Sequence, residues 1–583
     1  MLALLRQWMS QEALDVYIVP TADAHNSEYI APHWDCREKL TGFTGSAGTA
    51  VVTQQEALLW TDSRYWLQAE EQLRESGFSL MKDGTEGVPS PEEWIAEHCG
   101  GVARIGAPAD MAVNLAGGLT ICSGKDAFSE IWTDRPTLPA EPIVTQDEQW
   151  TGMTIQEKLG ALKRVLEEQK VTRDDVFVIN DLSDTAWLLN LRGTDVAYNP
   201  VFLSYLAYHS ATGKFQLYTH SSTLTPEAQQ RLQEAGVEAL PYEEVSRLAS
   251  LPHLRVCQET ACWGMWPAGV GTFHSPVEMW RAVKSEAEQE GMRRAMLQDG
   301  VAMVKFLRWL DERMEKEEEV TELSIDEKLT ALRAEQEDFE QLSFGTIAAY
   351  GRHGAIVHYE ADERSSVRIP AHGLLLLDSG GQYHSGTTDL TRTIAMGHLT
   401  QEEREVYTLV MKGHLRLEHM KFPVGTTGLQ LDTAARQDLW ARGYDFGHGT
   451  GHGVGAHGCV HEGPHQIRKD VRTCTLVPFC EGMTVTDEPG VYVTGRFGVR
   501  IENTLLCRKA EETPSGKFLE FEVLTLCPYD LRAIDRSLLT PEELEQINAY
   551  HERVRKAIMP LLTDDDDRIW LARATAAVDS ELD

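Results

Sequence analysis

The chain has 583 residues, 42% hydrophobic and 25% charged, which is too long for one core and too ordinary in composition for large-scale disorder. Its 54 Lys plus Arg stand against 90 Asp plus Glu, and the formal charge of -36 argues against nucleic acid or an anionic membrane as partner. The opening MLALLRQWMSQEALD lacks a basic start and a long apolar stretch, and the densest apolar run, Leu374 to Leu377, is too short to span a bilayer, so a cytoplasmic protein is expected.

From residue 1 to 140, short apolar runs alternate with helical stretches. VYIVP at 16–20 and TAVVT at 49–53 predict strands, and WLQAEEQLRES at 66–76 predicts a helix. Gly42, Gly45 and Gly48 predict a turn where backbone passes closely, at a spacing that does not fit a phosphate loop. After the Pro-rich TDRPTLPAEPIV, a second unit over 141–283 carries a helix at 154–169, the strand VFVIN at 176–180, then AWLLNLRGTD and VFLSYLAYH. The shared order of features suggests two related α/β domains.

A third unit, 284–583, opens on a segment with apolar residues near helical spacing: Met292, Ala295, Met296, Val301, Val304, Phe306, Leu307 and Leu310. A packed helix followed by a solvated one is expected, with Gly291 and Gly300 allowing a break near either. From residue 340 strands and tight turns dominate: LLLLDSG, TTDLTRTIAMG, MTVTDEPGVYV and GVRIENTLLC, with helices over 402–420 and 429–442. These predict an α+β domain, a curved antiparallel sheet flanked by helices. Ten cysteines without a CxxC pair are expected as buried thiols and not as a disulfide or zinc framework.

The chemistry concentrates in this third unit. Asp378 ends an apolar strand, and Asp389 returns across the Gly-rich GGQYHSG, so two carboxylates come close enough to need a compensating cation. HGTGHGVG sets His448 and His452 among glycines, in a loop or strand where backbone approaches a ligand, and His461 follows in VHEGP. Glu488 precedes Pro489 and Gly490 at a strand end, and Glu502 lies in an apolar stretch where an unpaired carboxylate is costly. Four carboxylates and one imidazole suit two ions such as Mn2+ or Co2+ better than one zinc. Such a pair serves hydrolysis of an amide, with nearby imidazoles donating to the developing oxyanion.

The segments DSGGQYHSGTTDLTRT, HGTGHGVG, VHEGP, TDEPGVY and RIEN resemble, in order and separation, those of the Xaa-Pro aminopeptidases among the pita-bread metallopeptidases. AWLLNLRGTDVAYNPVF, TGFTGSAGTAVV and LLTPEELEQINAYHERV extend the likeness to the long, three-domain cytosolic type. The resemblance implies two creatinase-like α/β domains, 1–140 and 141–283, before a pita-bread catalytic domain with a C-terminal extension, 284–583. It implies that Asp378 holds one metal, that Asp389 and Glu502 bridge both, and that His452 and Glu488 complete the coordination of the other metal, with Glu488 also handling the proton. His358, His448 and His461 match histidines that bind substrate and stabilise the tetrahedral intermediate, and Arg500 and Tyr492 match further residues near the site. The implied reaction releases the first residue from peptides whose second is proline, with two divalent ions, Mn2+ first and Co2+ or Zn2+ as alternatives. A homodimer is implied as well, and a prolidase-like Xaa-Pro dipeptidase is the alternative activity.

Overall fold

Alternating apolar runs in the first half of the chain fold into two six-stranded sheets. The computed structural model describes residues 1–100, 103–111, 120–262 and 264–578. The chain divides into two compact units, Met1–Glu148 with Met153–Val277, and Gln149–Gly152 with Glu278–Asp583.

The first unit holds both sheets. One runs Ser79–Lys82, Ala57–Thr61, Thr49–Val52, Val16–Pro20, Ile105–Gly106, Ile121–Ser123; the other runs Val237–Pro241, Lys214–Thr219, Ser204–His209, Val176–Ile179, Leu254–Cys257, Gly271–Phe273. The sense of pairing also repeats. Val16–Pro20 is antiparallel to one neighbour and parallel to the other, and so is Val176–Ile179. The expected duplication is thus present in strand order and direction. The predicted helices form at Trp66–Gln72 and Ile155–Gln169, the latter begun by a capping box of Thr154 and Glu157.

The second unit opens on a single helix, Glu286–Glu315. The expected break at Gly291 or Gly300 does not occur. Both glycines are there for close packing instead: a Cβ on Gly291 would lie 2.2 Å from the Ser385 carbonyl oxygen, and one on Gly300 2.5 Å from that of Leu526. A second helix, Glu322–Ala334, was not signalled by the sequence pattern.

Leu374–Ser379 lies between Ile347–Tyr350 and Leu390–Ala395, antiparallel to both. A strand with neighbours on both edges and cover on both faces needs no polar alternation, which is why Leu374 to Leu377 form an unbroken run, all buried. Leu374, Leu375 and Leu377 join one large core with the helices Gln401–Glu418 and Pro541–Ile558, while Leu376 packs with Ile347, Ala349 and Tyr359. A four-stranded sheet, Lys421–Pro423, Gly516–Val523, Asn503–Thr513, Thr484–Asp487, supplies the other wall. None of the ten cysteines is disulfide-bonded, and five are buried whereas Cys122 is exposed, so the expectation of buried thiols holds for half of them. No described helix is long and apolar enough to cross a membrane.

Candidate metal centre and active site

Register brings the carboxylates together. Asp378 pairs with Thr391, and Ser379 with Leu390, so Asp389 sits one residue before its strand begins, beside the strand that ends in Asp378 and Ser379. Asp487 pairs with Asn503 across the next sheet, and the following and preceding residues, Glu488 and Glu502, leave that pair at one end. His452 lies in the short strand Gly451–Gly453. A Cβ on Gly451 would lie 1.9 Å from the Thr486 carbonyl oxygen, so only glycine lets this strand approach the strand leading to Glu488.

Ligand atoms of Asp389, His452 and Glu502 all lie within 4.8 Å of one another. His452 Nε2 is 3.5 Å from Asp389 Oδ2 and 3.5 Å from Glu488 Oε1. Its Nδ1 is 2.9 Å from the Gly453 carbonyl. A carbonyl only accepts, so Nδ1 carries a proton, and Nε2, which faces the carboxylates, is the nitrogen that would ligate an ion.

Asp378 is held from one side. Arg500 donates to its Oδ2 from Nη2 at 2.6 Å and from Nε at 3.1 Å, while buried Oδ1 has no hydrogen-bond partner. Arg500 also donates to the Tyr492 hydroxyl at 2.7 Å and the Val357 carbonyl at 3.3 Å. Tyr492 lies 2.7 Å from His448 Nε2, and His448 Nδ1 is 2.6 Å from the Gly449 carbonyl. Both ring nitrogens of His448 are therefore engaged. Burial, and then the Arg500 charge, push its pKa well below the usual imidazole value, so it is neutral and accepts from Tyr492.

The electrostatics ask for cations. Burial raises Asp389 and Glu502 well above the carboxylate range, and neighbouring carboxylates add to it: Asp378 and Glu488 for Asp389, Asp389 and Asp378 for Glu502. Glu488 is pushed up to about 7 by burial, with Arg500 opposing and Asp378 reinforcing. Two ionised carboxylates at such separations repel by about 3.5 kcal/mol at an effective dielectric of 20. The hydrogen bond from Thr391 Oγ1 to Glu502 Oε2, 2.7 Å long, offsets only ~1–3 kcal/mol. Without metal the cluster must therefore hold protons. The orphaned Asp378 Oδ1, the oxygen-rich donors and the oriented imidazole fit two divalent ions.

The remaining expected residues are near. The His461 ring packs edge-on against His452, centroids 4.4 Å apart. His358 is half-buried and follows Val357, whose carbonyl Arg500 binds. Sequence reasoning missed Thr391, which touches both Glu502 and Arg500, and Arg392, which donates to the Thr391 and Glu502 carbonyls at 2.8 and 2.6 Å. Both stand in the TTDLTRT segment, where an Arg inside an apolar strand was an available signal. It also missed a second buried group, His414, Glu418 and Asp487, whose Asp487 directly precedes Glu488.

Comparison with known proteins covers nearly the whole chain. Residues 290–509 match the model of metallopeptidase family M24, and 517–578 match the C-terminal region of peptidase M24. Residues 1–119 and 134–288 each match a Creatinase/Prolidase N-terminal domain. A probable Xaa-Pro aminopeptidase P of Pyricularia oryzae is 38% identical, covering 98% of each chain. Aminopeptidase P2 of Arabidopsis thaliana is 37% identical over 96% of this chain and 85% of its own. The crystal structure of an X-prolyl aminopeptidase from Caenorhabditis elegans, described as a cytosolic enzyme with a dinuclear active site, superposes with a TM-score of 0.92 at 34% identity, covering 99% of both chains.

Proposed function

The chain belongs to metallopeptidase family M24, and on that premise we propose that it is a metal-dependent Xaa-Pro aminopeptidase, releasing the first residue of peptides whose second is proline. The observation that carries this reading is the gathering of Asp389, His452 and Glu502 at one buried place, with Asp378 and Glu488 electrostatically coupled to them.

Asp378, Asp389, His452, Glu488 and Glu502 would hold two divalent ions. When bound, these supply Lewis acidity toward the peptide carbonyl and toward water. Asp389 and Glu502 would be the ligands that the two ions share. Glu488 takes a proton from the attacking water and returns it to the proline nitrogen, which must be protonated to leave because the unprotonated amide anion is too basic a leaving group. His461 and His358 donate hydrogen bonds to the carbonyl oxygen as it gains charge. Arg500 and Tyr492 keep Asp378 and His448 in place at the substrate cleft, and neutral His448 lines it.

Mn2+ is the proposed ion, because an oxygen-dominated shell with one imidazole suits it, with Co2+ or Zn2+ as the other outcomes of elemental analysis. We also propose the division of the chain near residues 140 and 283, a homodimer and a cytoplasmic location, on the likeness to the long aminopeptidases.

The test compares an Xaa-Pro-Pro tripeptide with an Xaa-Pro dipeptide, using protein loaded with Mn2+. Release of the first residue from the tripeptide is expected. Cleavage confined to the dipeptide would replace this reading with the prolidase-like one.

A further inference from the structure

Glu322 is a fully buried carboxylate at the start of the helix Glu322–Ala334, where an anion is favoured. Four donors converge on it, and all come from residues 350–367. The Tyr350 amide donates to Oε1 at 2.8 Å and the Val367 amide to Oε2 at 3.0 Å. His353 Nδ1 lies 2.8 and 3.1 Å from the two oxygens, and the Tyr359 hydroxyl donates to Oε2 at 2.9 Å. The His353 and Tyr359 rings stack with centroids 4.4 Å apart.

One carboxylate thus ties both ends and two interior points of a segment that has little regular structure beyond a short 3-10 turn at Gly351–Ala355. His358 lies on that segment, directly before Tyr359. On its other side the Val357 carbonyl accepts from Arg500, which grips Asp378. His358 is therefore held between the Glu322 hub and the arginine of the metal centre.

We propose that Glu322 is a positioning residue for substrate, setting His358 against the scissile bond through Tyr359 and His353. This rests on the reading of His358 as a substrate-binding histidine. Glu322→Gln keeps the shape but turns one acceptor into a donor, so at least one of the converging donors is left facing another donor. The displacement falls on His358, where a shift of about 1 Å costs up to ~10²-fold in rate.

The test uses holoenzyme and an Xaa-Pro-Pro peptide, with metal content and metal affinity measured alongside. Glu322→Gln is expected to lower kcat/KM by about tenfold or more with both metal readings unchanged. Tyr359→Phe, which removes a single hydroxyl, is expected to lower it less and in the same direction, and keeps the test intact should Glu322→Gln fail to fold. In a His358→Ala background, Glu322→Gln should cost under about twofold more, because both act through one contact. Wild-type kcat/KM in Glu322→Gln or Tyr359→Phe beside a defective His358→Ala overturns the positioning role alone. So does a full additive loss in the double variant, or a loss that tracks metal content. A silent His358→Ala instead overturns the reading of His358 itself.

Discussion

Arg500 places two donor atoms on one oxygen of Asp378, 2.6 Å from Nη2 and 3.1 Å from Nε, and leaves Oδ1 buried without a partner. Two donors on one oxygen fix the carboxylate's rotation and direct the other oxygen toward the cluster. Arg500→Lys retains the charge but not the planar fork. It is expected to weaken Mn2+ binding and kcat by about 10–100-fold, the usual cost of losing a group that orients a metal ligand. Calorimetric titration of apo protein checks this, and an unaltered affinity would mean that Asp378 is held by other contacts.

Asp389 lies among carboxylates whose repulsion a bound ion removes. Asp389→Asn is expected to abolish peptidase activity and reduce the metal content from two to one or none, read by elemental analysis. In metal-free protein the sign reverses. Burial, Asp378 and Glu488 raise the Asp389 pKa well above the carboxylate range, so apo wild type must take up a proton there on folding; the amide is neutral without that cost, and the apo variant should unfold at a higher temperature than apo wild type. Metal removal should lower the melting temperature of wild type and hardly move that of the variant.

Glu462 follows His461 in the sequence. It accepts from Arg281 Nη1 at 2.9 Å and also from Lys284 Nζ, all three being buried. Glu462→Ala removes the carboxylate that two buried cations share, for a loss of about 3–5 kcal/mol. Urea unfolding should show a lower midpoint, and a variant of wild-type stability would show that the two cations reach other acceptors.

Of the five proposed ligands, the four carboxylates stood out in the sequence because acidic groups close together or in apolar stretches need something to compensate them, whereas His452 stood out among its glycines. The residues that orient them were harder to see. Thr391 and Arg392 reach Glu502 across more than a hundred positions, and Glu322 gathers donors from a segment that begins 28 positions on. No local pattern records such pairings. Gly291 and Gly300 misled in the opposite direction, since the low helix propensity of glycine is overridden by backbone packing against Ser385 and Leu526. The duplication of the first unit was legible as a repeated order of features, whereas the matching strand senses became visible only in the sheets.

His551 offers a prediction in which pH is the variable. Its Nε2 accepts from the Tyr529 amide at 3.0 Å, a role open only to the neutral ring. Burial, followed by the Arg392 and Arg555 charges, lowers its pKa to about 4. The unfolded value is about 6.5. Between these two values the unfolded chain binds the proton and the folded chain does not, so stability is fully present above pH ~6.5 and is lost as pH falls toward 4. Over about 2.5 units the loss is on the order of 3 kcal/mol. His414 and His465, also lowered to about 4 chiefly by burial, act in the same direction. The urea midpoint of wild type should therefore drop between pH 7.5 and pH 5. In His551→Gln, which retains an acceptor but does not titrate, the drop should be smaller, even though the variant is less stable at pH 7.5. An identical pH dependence in the two proteins would show that His551 does not carry this share of the acid sensitivity.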